Sequence, residues 1–259
     1  MTSSEVLEKF GFKFGKNGAH SARSMMIVEL TTLLNGRPEE AIKADYQADI
    51  LDFNQLQKPT EKARKLTFRH LVDLYGISPE VPLFRVFRYL WDRDEATQPM
   101  LALQLAMVRD PLLRKSMPAV LGLRPGDSIT REFIEQVLAE DDLARFSPAS
   151  LKSFAQNING TWTQAGYLQG RSKKSRVEVK PSYVNVVFAL YLSQLEGRTG
   201  QRLFTSDWCK LLDRDMATLH ALAYTASARG LIKFKHVGDV IEVAFPDMLT
   251  PEEKALIHV

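Results

Sequence analysis

Cysteine is nearly missing from this chain: among 259 residues only Cys209 carries a thiol. A single thiol closes no intrachain disulfide and builds no cysteine-based zinc site. It falls in an apolar helical pattern, which predicts a buried, inert side chain. Long apolar runs are missing as well. The longest, VNVVFALYL from Val184, is far shorter than the roughly 20 residues that span a bilayer. The opening MTSSEVLEKFGFKFG lacks the charged-then-apolar order of a signal peptide, so a cytoplasmic protein without membrane contact is expected. In that compartment the sequon Asn159-Gly160-Thr161 has no use.

Catalytic signatures are equally scarce. The stretch GFKFGKNG (residues 11–18) is similar to a phosphate-binding loop, but Gly11 and Gly15 stand one residue too close. Asn17 also takes the position where Ser or Thr would hold magnesium, and no strand precedes it. His20, His70, His220, His236 and His258 show no ligand spacing among themselves or with carboxylates. The pairs Asp141-Asp142 and Glu252-Glu253 fall at helix ends, where capping and charge balance are the ordinary roles. No serine stands in a nucleophile-elbow context. The expectation is a protein that is not an enzyme and that takes no metal and no cofactor.

What the chain does have is helical periodicity. With 45% apolar and 25% charged residues it is composed like a globular protein, which excludes wholesale disorder. Apolar residues recur at helical spacing from Met25 to Leu34, in PEEAIKADYQADI, and in KPTEKARKLTFRHLVDLYG, with Thr60 as N-cap and Gly76 past the end. VPLFRVFRYLWDRD, QPMLALQLAMVRD and PLLRKSMPAVLG continue the pattern, the last two with proline at or near their starts. DSITREFIEQVLAEDD is an acidic helix capped by Thr130. FSPASLKSFAQNINGTWTQAGYL is another, capped by Ser147 and stopped near Gly166. RVEVKP (residues 176–181) alternates as a strand does.

The remaining residues repeat this order: helices over PSYVNVVFALYLSQLEG, TSDWCKLLDRD and DMATLHALAYTASARG, then two strands about Gly238-Asp239. ASLKSFA (149–155) aligns with ATLHALA (217–223), each followed by a glycine and an apolar pair. The fold expected is mainly α: a helical domain at residues 1–126, a winged-helix-like module at 127–181, and a second at 182–259.

Charge is unevenly spread. Net charge is only +3, yet Arg171, Lys173, Lys174 and Arg176 crowd the segment where a wing is expected. The preceding helix, if Leu151, Phe154, Ile158 and Trp162 point inward, turns Lys152, Ser153, Gln156, Asn157, Asn159, Thr163 and Gln164 outward. These groups can meet phosphate oxygens or base edges. A second basic strip, Lys58, Lys62, Arg64, Lys65 and Arg69, stands against Glu61 alone. In the second module Asp215, Thr218, His220, Tyr224 and Ser227 carry little positive charge and suit a protein partner better, while Lys233, Lys235 and His236 keep DNA contact open. Cationic clusters of this kind release counterions from duplex DNA and bind it with salt-sensitive affinity.

Two stretches, DFNQLQKPTEKARKLTFRHLVDLYG (52–76) and FSPASLKSFAQNINGTWTQAGYL (146–168), with LALQLAMVRDPLLR between them, give the chain a family likeness. Over residues 21–168 it resembles the BrxA family, small proteins encoded in bacterial BREX phage-defence operons. The resemblance implies a mostly helical, non-enzymatic accessory protein that binds double-stranded DNA beside a methyltransferase, an ATPase and a phosphatase-like protein. This chain departs from the short form of the family by continuing through residues 181–259. Two other functions fit the same residues: an adaptor that holds partner proteins, and a winged-helix transcription regulator.

Overall fold

In the computed structural model, which describes residues 3–16, 18–140, 145–171 and 173–257, helices form wherever a cap and an apolar stripe coincide. α1 (Ser3–Phe10) buries Leu7 and Phe10. An irregular arm with one 3-10 turn, Ala19–Ser21, leads to α2 (Ile27–Asn35) and α3 (Lys43–Leu51). α4 (Glu61–Tyr75) begins where Thr60 Oγ1 accepts the Ala63 N–H at 3.1 Å. It ends at Gly76, whose φ of 67° is left-handed. α5 (Pro82–Trp91) and α6 (Gln98–Arg109) carry proline in their first turns. Every residue of α6 from Met100 to Arg109 is buried, so this helix forms the centre of the molecule.

Residues 111–121 form two short helices, α7 (Pro111–Lys115) and α8 (Met117–Leu121), where the periodicity predicts one. Pro118 has no N–H to give the Arg114 carbonyl, which takes the Ser116 N–H, and Ser116 Oγ donates to Leu113 O at 2.6 Å.

Next come β1 (Ser128–Ile129), α9 (Arg131–Ala139), α10 (Pro148–Gln164), β2 (Leu168–Gln169) and β3 (Lys174–Arg176). The three strands form an antiparallel sheet in the order β1-β3-β2, with Ser175 opposite both Ser128 and Gln169. The expected strand over 176–181 is not formed, because the ladder stops at Arg176. Beyond it the alternation reflects packing: Val179 is buried, and Glu178 turns outward to pair with Arg214. Asp141 and Asp142 lie outside the described residues.

The chain continues through α11 (Tyr183–Leu195), α12 (Gln201–Phe204), α13 (Asp207–Lys210) and α14 (Met216–Ala228). β4 (Lys233–Val237) and β5 (Val240–Ala244) make the expected hairpin about Gly238, and α15 (Pro251–Ile257) follows. The helix expected over 205–215 shrinks to the single turn of α13, and Asp213, at φ 51°, breaks helical continuity before α14.

The molecule is mainly helical, with two small antiparallel sheets. Its apolar packing runs from Leu7 to Met248 as one core. It crosses residue 182 through the rings of Phe87 and Phe188, 6.5 Å apart, and through Gln104 Nε2, which donates to Asn185 O at 2.9 Å. Arg85 closes the far side on both carboxylate oxygens of Glu253, at 2.6 and 2.7 Å. Among the described residues no helix is long and apolar enough to cross a membrane.

Candidate nucleic-acid interface

α10 is started by Ser147, whose Oγ accepts the Ser150 N–H at 3.2 Å, with Pro148 at the first helical position. Ile158 and Trp162 are fully buried, and Trp162 Nε1 donates to Ser116 Oγ at 2.8 Å. Leu151 and Phe154 are half-buried, Phe154 meeting Phe146 edge to face at 5.1 Å. Lys152, Ser153 and Gln156 are exposed.

The rest of the polar face is occupied by the arm. Asn157 Nδ2 donates to His20 O at 2.9 Å, and Thr161 Oγ1 accepts the Met25 N–H at 2.9 Å. His20 bridges Thr161 Oγ1 (2.6 Å) and Asp110 Oδ2 (2.8 Å), and all three side chains are fully buried. Burial alone raises the Asp110 pKa, but the charge and hydrogen bond of His20, with the backbone N–H groups of Leu113 and His20, hold it below the ordinary carboxylate value. Gln164 is exposed, as expected, and donates to Ser24 Oγ at the edge of the arm at 3.0 Å. Asn159, likewise expected outside, is buried.

The hairpin after α10 turns at Gly170, where φ is 101° and an added Cβ would lie 2.2 Å from Lys173 O, so only glycine fits. Arg171 and Lys173 are exposed at the tip. Lys174 leans back on the helix: its Nζ donates to Thr163 Oγ1 at 2.8 Å and to Gly170 O at 3.2 Å, and burial lowers its pKa. Arg176 does not reach solvent. It lies opposite Leu168 in the ladder and shares that residue's buried face. Its guanidinium donates to the carbonyls of Tyr167 and Val177 and pairs with Asp213, so it is a structural cation.

The strip near α4 separates in the same way. Lys58 pairs with Glu29 at 2.8 Å, both about three-quarters buried. Arg64 gives its Nη1 to Leu51 O at 2.6 Å, closing the C-terminus of α3. Lys65 pairs with Glu61, but both side chains are largely exposed, and such pairs contribute at most about 1 kcal/mol. Lys62 and Arg69 are exposed.

The C-terminal hairpin differs in character. Lys235 lies 3.9 Å from Glu242, and the rings of His220 and His236, 4.8 Å apart, pack with Phe204 and Phe234. Cys209 is buried, and burial pushes its thiol up to about 12. Sequence reasoning missed Asp110 and Asp213 as anchors. Asp110 had a signal in Asp110-Pro111, a cap before a helix-starting proline, whereas nothing local marks Asp213 as the partner of a residue 37 positions away.

The chain matches no family model and no curated protein.

Proposed function

We propose that this protein binds double-stranded DNA without catalysing a reaction, through the module built from β1, α9, α10, β2 and β3. The order strand, helix, helix, hairpin, with the first strand added to the far strand of the hairpin, supports a winged-helix reading. One observation carries the proposal: the Lys174–Thr163 hydrogen bond ties the hairpin to α10, so the exposed cations at its tip flank a helix that exposes Lys152 and Gln156. Arg171 and Lys173 act as phosphate contacts, Lys152 and Gln156 lie along the groove, and Lys62, Lys65 and Arg69 give a second backbone contact. Lys58, Arg64, Lys174 and Arg176 are committed within the fold and take no part, while Gln164, exposed beside the arm, keeps its place along the groove.

The sequence resemblance extends this to an accessory protein of a BREX-type defence complex in the cytoplasm, acting beside a methyltransferase, an ATPase and a phosphatase-like protein.

Fluorescence anisotropy with a labelled random duplex over a salt series tests the DNA reading. Each phosphate contact contributes about 0.9 to the slope of log K against log salt, so the double variant Arg171→Ala, Lys173→Ala flattens it by roughly 2. An unchanged slope removes the hairpin from the interface, and no binding at low salt removes the proposal.

A further inference from the structure

A cavity of about 740 Å³ lies between the arm, the C-terminal half of α4 and the ends of α3 and α6, apart from the module described above. Its size is that of small-molecule sites. Four cations line it, Lys13, Lys43, Arg69 and Arg109, against one carboxylate, Asp73. That carboxylate is already engaged by Lys13. Lys43 and Arg69 are exposed and form no ion pair among the described residues.

Arg109 is the unusual member. It is 8% exposed, and its donors reach only backbone oxygens, Gly11 O at 2.6 Å, Asp73 O at 3.3 Å and Val72 O at 3.5 Å, while its Nε–H has no acceptor. A buried guanidinium without a carboxylate in hydrogen-bond reach is costly unless an anion completes it. Burial lowers its pKa to about 10, so it stays charged at neutral pH. His70 reports the same field: burial first, then Arg69 and Arg23, hold its pKa down against the opposing effect of Asp73. Phe68 and His70, both half-buried, add flat ring surfaces to the wall.

We propose that this cavity binds a phosphorylated small molecule of nucleotide size. Lys13, Lys43 and Arg69 take the phosphoryl oxygens, Arg109 supplies charge from the wall, and the base lies against Phe68 and His70. The site uses none of the hairpin cations and shares only Arg69 with the duplex surface proposed above.

Isothermal titration calorimetry of the full chain with AMP, ATP, adenosine and inorganic phosphate tests it. Both nucleotides are expected to bind, phosphate to compete more weakly, and adenosine to give no heat. The variant Lys13→Gln, Lys43→Gln should weaken AMP by at least about tenfold, as expected for lost charge-assisted contacts. In nuclear magnetic resonance titrations the His70 pKa should rise on binding, because an anion favours the imidazolium. Adenosine binding as well as AMP, phosphate binding as tightly as AMP, or full affinity in the double variant overturns the assignment. So does binding of a 5′-phosphorylated oligonucleotide where free nucleotides give none. The Arg171, Lys173 variant should bind AMP normally and the Lys13, Lys43 variant should keep the duplex salt slope, so failure of either proposal is read separately.

Discussion

At the base of the β2–β3 hairpin the Arg176 guanidinium is fully buried, and its partner Asp213 remains 38% exposed. Removing the arginine strands Val177 O, leaves Tyr167 O with the Val177 N–H alone, and opens a void beside the Tyr167 ring, 5.0 Å away. Asp213 can rehydrate, which reduces the loss. Arg176→Ala should therefore cost about 2 to 4 kcal/mol in urea unfolding while leaving the duplex salt slope unchanged. A loss under half a kilocalorie with a flatter slope would return Arg176 to the interface. The contrast with Lys173, three residues earlier and exposed, states what sequence can tell about such a cluster. Charge and position near a turn were legible. Which side of the pleat each cation takes depends on register, and register is set by the partner strand at Leu168, not by the basic residues. For the same reason Asn157 reads as outward on a two-faced helix until the arm at residues 18–25 covers a second face, while Asn159 falls at helical spacing from the buried Ala155 and Trp162.

Elements with strong local signals matched their sequence patterns. α4 and α10 have hydroxyl caps at their starts and glycine at or just past their ends, and both span the residues their periodicity predicts. The misreadings fall where tertiary context overrides period: the break at Ser116, the one-turn α13, and a strand replaced by extended packing after Arg176. α1 went unread because its apolar stripe is only two buried residues wide. Gly76 offers a test at this scale. Its φ of 67° is left-handed, and an added Cβ would meet Arg109 Cζ at 2.9 Å. Gly76→Ala should lower stability by about 1 to 2 kcal/mol from the backbone alone, with a further loss from displacing the guanidinium. An unchanged thermal midpoint would show that neither the left-handed backbone nor the Arg109 contact constrains this position.

Across the whole molecule, Trp91, Trp162 and Trp208 are buried in separate parts of one continuous apolar core. Cys209 lies in the last of these parts, and its thiolate is suppressed by burial. Unfolding in urea should therefore be a single event: tryptophan fluorescence, far-ultraviolet circular dichroism and Cys209 labelling by a thiol reagent should share one midpoint. Labelling at a lower urea concentration than the loss of helix would show that residues 182–259 open by themselves.

The contact of α11 with α5 and α6 also constrains descent. Phe87 and Gln104 are fully covered, and the latter exchanges hydrogen bonds with Asn185. A shorter relative that ends before α11 would have to carry water-compatible side chains at those places or recruit another surface over them. Gain or loss of the chain from α11 onward is thus coupled to substitution in helices more than eighty residues away, and that paired change is what a collection of homologous sequences should record.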